Sequence, residues 1–369
     1  MRIAINCRSF LKKHTTGIGR YARNLVFSLS DIDATNDYRL YIKKGLFDFS
    51  RQAPKVKAKN FHIKHDWLNQ GLNATLGPVD LYHSPSPDTI DIDEAKIIVT
   101  VHDLIHRTYP EGHTPSTIKT VEKQFNEITS KADRIICVSK STQTDLQRFY
   151  PIKEDKTCVV YQGVDKTNFY PLDEKQKAQG RQAIQARGIK QPFILFVGTI
   201  EPRKNLKNLL LAFSLMKKKN ISRKLVVIGM KGWMSDDIAN MVKDLGLKND
   251  VVFVGYIQDQ ELRNFYNCAD VFAYPSFYEG FGFPILEALS CGAAVVTSNA
   301  SSCPEIAKDA ALIVDPYNPE DIAQAIIRVL EDEKCEQELR IKALGRAEEF
   351  SFLKTAQETL RVYKDVYES

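Results

Sequence analysis

The chain has 369 residues, 43% hydrophobic and 26% charged, with a net charge of +5. That length exceeds one typical hydrophobic core and fits two domains. The composition is that of a globular protein rather than a disordered or fibrous one, and no apolar run approaches the roughly 20 residues of a membrane-spanning helix. The opening Met1-Arg2-Ile3-Ala4-Ile5-Asn6-Cys7 is too short and polar-interrupted for a signal peptide and reads as a buried strand. The seven cysteines are odd in number, never spaced C-x-x-C, and lodged in apolar segments such as Ile136-Cys137-Val138. That is the pattern of reduced, buried thiols in a cytoplasmic protein. Residues 1–170 carry 25 Lys/Arg against 19 Asp/Glu, and residues 171–369 carry 26 against 27. A basic first half suits peripheral contact with the inner face of an anionic membrane, or a phosphate-bearing acceptor; ordinary scatter of charge is the other reading. Nothing resembles a nucleic-acid-binding motif.

Short apolar runs alternate with helical patterns through both halves, the sign of βαβ units and parallel sheets. The first half predicts strands at 3–6, 39–42, 61–63, 81–83, 97–101, 134–138 and 158–161, with helices at 19–29 and 116–130. The second predicts strands at 193–197, 225–228, 251–254, 271–273, 294–297 and 312–314, with helices at 206–217, 236–245, 259–267, 319–330 and 336–350. The polar stretch Gly163 to Pro171, followed by the charged segment 173–187, marks a boundary between domains 1–168 and 169–351. Doubly wound sheets bind ligands beyond the carboxyl ends of their strands, so two of them facing one another define a cleft.

Several motifs fall at such strand ends. Thr16-Gly17-Ile18-Gly19-Arg20 reads as a turn before a helix. His102 ends the apolar run Ile97 to Val101 and is either a site residue or a satisfied core histidine. His83, in Leu81-Tyr82-His83-Ser84-Pro85, is a weaker candidate for the acceptor side. Asp91-Ile92-Asp93 lies in an acidic segment and reads as a solvated loop rather than a metal-binding D-x-D. Gly198-Thr199-Ile200-Glu201-Pro202-Arg203-Lys204-Asn205-Leu206 follows a strand and opens a helix. Arg203 offers a planar fork to phosphate oxygens and Lys204 a compact charge, although an exposed surface pair would look the same. Lys231 and Trp233, in Gly229-Met230-Lys231-Gly232-Trp233, follow another strand, and Trp233 is also a candidate packing residue.

The densest signal is Pro275-Ser276-Phe277-Tyr278-Glu279-Gly280-Phe281-Gly282-Phe283-Pro284-Ile285-Leu286-Glu287. A carboxylate stands in a glycine-rich turn, Pro284 takes the first helical position, and a second carboxylate follows on the helix. Gly280 and Gly282 let backbone amides approach a ligand, and amides at a helix N-terminus suit an anion or sugar oxygens.

This stretch resembles the signature of group 1 retaining glycosyltransferases, two glutamates with seven residues between them that include Gly-Phe-Gly, and matches it without departure. The resemblance continues through Ala294-Val295-Val296-Thr297-Ser298-Asn299 and Ser302-Cys303-Pro304-Glu305-Ile306. It implies the α/β GT-B fold, two doubly wound Rossmann-like domains facing a cleft, with a C-terminal helix at 352–369 crossing back onto the first. It implies that Glu287 holds the ribose diol of a nucleotide sugar and that Glu279, with the amides of Gly280, Phe281 and Gly282, holds sugar hydroxyls. Arg203, Lys204 and Lys231 would serve the pyrophosphate, Gly17 and Gly19 would face it, and His102 would contact the donor sugar. Neither a metal nor a cofactor is then required.

The function implied is transfer of a hexose, with retention, from a nucleotide diphosphate sugar to a hydroxyl of a glycan or lipid-linked acceptor. Gly229 to Trp233 and Val101-His102-Asp103-Leu104 most resemble members using GDP-mannose in bacterial surface-polysaccharide assembly. UDP-sugars are the alternative, as is a catalytically silent subunit that binds nucleotide sugar, or an epimerase of the same fold. A glycoside hydrolase using Glu279 and Glu287 leaves the basic loop without a purpose. A dinucleotide-dependent oxidoreductase lacks a G-x-G-x-x-G after the first strand.

Overall fold

The structure is a computed structural model and describes residues 1–11, 17–43, 56–88, 90–189, 192–230, 232 and 235–369. The chain divides into two units, Met1–Gly163 with Phe350–Ser369, and Val164–Glu349.

Unit 1 is built on seven strands: β1 (Arg2–Asn6), β2 (Asp37–Lys43), β3 (Phe61–Asp66), β4 (Leu81–Ser84), β5 (Lys96–Val101), β6 (Arg134–Cys137) and β7 (Thr157–Val159). They lie in the order β3-β2-β1-β4-β5-β6-β7, every pairing parallel. Unit 2 has β8 (Phe193–Val197), β9 (Lys224–Ile228), β10 (Val251–Gly255), β11 (Val271–Tyr274), β12 (Val295–Ser298) and β13 (Ala311–Val314). Their order is β10-β9-β8-β11-β12-β13, again parallel throughout. In each sheet the chain runs outward from a central strand, returns to its other side and runs the opposite way. The reversal lies between β1 and β4 in unit 1 and between β8 and β11 in unit 2, where doubly wound sheets take ligands.

The physical cause is the apolar pattern. Ile3, Ala4 and Ile5 of β1, and Phe193 to Phe196 of β8, are fully buried, as strands covered on both faces must be. Edge strands β10 and β13 instead leave Phe253 and Ile313 exposed. Besides three helices of four or five residues, Leu72–Leu76, Ile105–Thr108 and Cys303–Ala307, two longer ones went unread in the sequence because their apolar stripes are thin. Lys140–Phe149 buries only Thr142 and Leu146, and Glu174–Ala186 only Gly180 and Ile184. Their caps hold them instead: Ser139 accepts from Thr142 N, and Asp173 and Gln176 form a reciprocal capping box.

The last helix, Phe352–Glu368, belongs to unit 1 and packs on the helix Gly17–Ile32. Its buried face repeats every three or four residues (Phe352, Thr355, Ala356, Thr359, Tyr363, Val366). The chain passes so close to its start that a Cβ on Gly163 would stand 2.1 Å from Phe352 N; only glycine fits there. All seven cysteines are free thiols. Among the described residues no helix is long and apolar enough to cross a membrane.

Candidate active site

A buried cluster of charged and polar side chains in unit 2 sits at its reversal point, in the loops that leave β8 and β11. After β8 the chain makes a short 3-10 turn, Pro202–Lys204, closed by Asn205 in the left-handed conformation at φ 59°. Asn205 Nδ2 then donates to Pro275 O at 2.8 Å and to Pro316 O at 2.6 Å, fastening the turn to two neighbouring loops. Arg203 O accepts from Phe277 N at 2.8 Å and from Ser276 Oγ at 2.9 Å. Arg203 and Lys204 are thereby presented by backbone that is tied on both sides.

Glu279 is where their side chains meet. Lys204 Nζ lies 2.5 Å from Glu279 Oε1, which also accepts from Tyr274 Oη at 2.8 Å and Ser276 Oγ at 2.8 Å. Arg203 Nη1 lies 3.0 Å from Oε2 and Arg203 Nη2 2.6 Å from Glu201 Oε1. The four charges sum to zero. Burial alone would push the Glu279 carboxyl up, but Lys204, Arg203 and the hydrogen bonds outweigh it and hold it at about 2. Lys204 is lowered by its burial and by Arg203 beside it. The two cations share the Glu279 carboxylate, and Arg203 in turn bridges Glu279 and Glu201.

The glycine turn behaves as its composition implies. Gly282 adopts φ 97° and opens the helix Phe283–Ser290. Pro284 is the second helical residue rather than the first, because Phe283 already has helical backbone. Two loop-β12 hydroxyls fix the turn, Ser301 Oγ accepting from Glu279 N at 2.8 Å and Ser302 Oγ donating to Glu279 O at 2.9 Å. Phe281 is buried and meets Phe283 edge-on, the ring centroids 5.4 Å apart. Glu287 lies buried one turn into that helix, and its Oε2 accepts from Tyr266 Oη at 3.0 Å. In the loop after β9, Gly229 approaches Gly198 O so closely that a Cβ would stand 2.0 Å away. Lys231 and Trp233 lie outside the described residues.

Unit 1 places the remaining candidates. His102 follows β5 and is 9% exposed. Its Nε2 is 2.8 Å from Pro85 O, so the proton sits there, and Gln162 Nε2 donates to Nδ1 at 3.3 Å. Burial lowers its pKa and keeps it neutral, and Tyr21 meets the ring edge-on at 5.0 Å. His83 is not an acceptor-side group. It is fully buried, with Nδ1 2.6 Å from Tyr363 Oη and Nε2 2.9 Å from Thr100 Oγ1. It ties the last helix to the sheet. Gly17 and Gly19 are also corrected: both stand inside the first turn of the helix Gly17–Ile32, not in a turn before it.

The sequence missed the residues that hold the others. Glu201, Tyr274, Ser276 and Tyr266 touch the two glutamates or Arg203, and Gln162 fixes His102. Only Glu201 had a signal, being an acid beside the basic pair.

Comparison with known proteins decides the family. The model described as "Glycosyl transferases group 1" matches residues 181–346, and "Glycosyltransferase Family 4" matches 58–168. Over 96% of this chain, and 97% of the other, the sequence is 32% identical to "O-antigen chain mannosyltransferase B" of Escherichia coli. The chain belongs to the group 1 glycosyltransferases. This glycosyltransferase is also 29% identical, over 90% of its length, to "Serotype-specific mannosyltransferase WbdA" of Escherichia coli, covering 43% of that longer protein. Among solved structures, sucrose-phosphate synthase from Thermosynechococcus elongatus superposes with a TM-score of 0.78 at 22% identity, covering 100% of this chain and 99% of that one. Anabaena HepE, solved in complex with UDP-glucose, gives 0.74 at 18% identity, covering 99% and 100%. The fold is GT-B.

Proposed function

We propose that this glycosyltransferase moves mannose from GDP-mannose to a hydroxyl of a glycan or lipid-linked acceptor, with retention at the anomeric carbon. Arg203 and Lys204 would take the pyrophosphate charge without an essential metal. The choice of mannose rests on the printed names of the Escherichia coli relatives. The observation that carries the chemistry is the Arg203–Lys204–Glu279 cluster at the reversal point of the unit 2 sheet.

Among the described residues, Lys204 Nζ gives two of its three donors to Tyr274 and Glu279, leaving one for a phosphate oxygen. Arg203 exchanges its bond to Glu201 for a second. As the bond from the anomeric carbon to the phosphate oxygen breaks, negative charge grows on the leaving group and the fixed cations stabilise it without reorganising. The acceptor oxygen attacks from the same face, and its proton passes to the departing phosphate oxygen. No protein nucleophile is needed. Glu279 holds the two cations in place, and Oε2, which carries Arg203, reaches a sugar hydroxyl. Glu287 accepts the ribose diol, the glycine-turn amides face the donor, and His102 acts at the sugar rather than the nucleotide.

Titration with a panel of GDP- and UDP-sugars tests this reading. Saturable binding of GDP-mannose, with slow release of mannose in the absence of acceptor, is expected. Preference for a UDP-sugar would overturn the donor, and binding without any turnover would indicate a silent subunit. Activity that survives a chelator is expected; a strict need for Mn²⁺ would contradict the metal-free scheme.

A further inference from the structure

At the carboxyl end of β3, on the edge of the unit 1 sheet, the chain presents four exposed residues in succession: Trp67, Leu68, Asn69 and Gln70. Trp67 is 41% exposed and Leu68 64%, although large apolar side chains normally withdraw from water. The turn is not loose. Asp66 beneath it is buried and accepts from Gln70 N at 2.8 Å, from Gly71 N at 3.2 Å and from Tyr41 Oη at 2.7 Å. Asn69 completes the turn at φ 57°, and the Trp67 indole rests on the His65 ring, the centroids 4.7 Å apart. Among the described residues the side-chain amides of Asn69 and Gln70 have no hydrogen-bond partner. A buried carboxylate thus spends its bonding on holding an indole and two amides out at the ligand edge of the sheet.

We propose that this turn is a platform for a pyranose ring of the acceptor glycan. A pyranose has an apolar face of C–H groups and a rim of hydroxyls. An indole covers the face, and carboxamides, each both donor and acceptor, pair with the rim. A bilayer fits the turn less well, because the turn itself carries no cation to meet anionic headgroups. The inference rests on the acceptor being a glycan and names the residues that read it.

Trp67 and Trp233 are the two tryptophans of the chain, so a Trp233→Phe variant makes Trp67 the sole indole reporter. Titration with α-linked mannotriose should change its emission saturably, and phosphatidylglycerol vesicles should leave it unchanged. In the otherwise unaltered chain, Trp67→Ala should raise KM for mannotriose as acceptor about tenfold, the loss of one good aromatic contact, with the Kd for GDP untouched. Trp67→Phe should recover part of the loss. An emission blind to mannotriose, or an unchanged KM in Trp67→Ala, overturns the platform. An emission shift with vesicles overturns it in favour of a membrane contact. The emission titration needs no donor, so failure to bind GDP refutes the transfer reading separately.

Discussion

Lys204 Nζ and Glu279 Oε1 lie 2.5 Å apart, two buried, oppositely charged side chains delivered by different loops of one sheet. Removing one member of such a pair leaves the other charge buried and uncompensated. Glu279→Gln should therefore destabilise unit 2 by about 3 kcal/mol, read as a lower urea midpoint. The pH dependence has a definite sign. The folded carboxyl titrates at about 2, below its unfolded value of about 4.3, so its contribution is complete above the unfolded value and is lost as pH falls toward the folded one. The gap in stability between wild type and Glu279→Gln should be widest at neutral pH and shrink by pH 3.

Glu201 is the removable competitor. It pairs with Arg203 at 2.6 Å and is the more exposed of the two glutamates. A pyrophosphate must displace it to gain both arms of the guanidinium. Glu201→Gln should tighten GDP binding a few-fold, as expected when a competing ion pair worth up to about 1 kcal/mol is lost. Weaker binding in a titration would place Glu201 among the groups that orient Arg203 instead.

Glu287→Ala should weaken binding of the bare nucleotide, because the ribose diol loses its paired acceptor in a buried site. Tyr266→Phe, which removes the bond at 3.0 Å holding that carboxylate, should weaken it less. Equal GDP affinity in all three proteins would take Glu287 out of the ribose role.

His102→Ala should abolish transfer and donor hydrolysis while leaving the Kd for GDP as in wild type, since Glu287, Arg203 and Lys204 belong to unit 2 and His102 to unit 1. Turnover, nucleotide titration and circular dichroism on one preparation separate the cases. Wild-type turnover would make the histidine a core residue, as its two engaged ring nitrogens would then imply.

The fold was legible because parallel strands covered on both faces leave nearly continuous apolar runs, such as Ile97 to Val101 and Phe193 to Val197, whereas β2 and β3 toward the edge of the unit 1 sheet mix polar residues into theirs. Helices with thin stripes, Lys140–Phe149 and Glu174–Ala186, were not legible, since caps rather than hydrophobic period define them. In the site, Glu279 and Arg203-Lys204 stood out by charge among apolar and glycine neighbours. That one carboxylate holds both cations was hidden, because it depends on the adjacency of β8 and β11, 77 residues apart at the paired Ile194 and Val271. His83 misled because a strand-end histidine looks the same whether it faces a ligand or, as here, Tyr363 of a helix 280 residues later.

If Arg203 and Lys204 act on charge that develops as the sugar leaves, their loss must slow turnover more than it weakens binding. Lys204→Ala and Arg203→Ala are each assayed for kcat with GDP-mannose and for Kd with GDP, in the presence of chelator. A contact that strengthens in the transition state lowers kcat more than it weakens ground-state binding. A fall in kcat of about a hundredfold or more is expected beside a much smaller rise in Kd. An unchanged kcat with only a raised Kd would contradict it and leave both residues as nucleotide anchors.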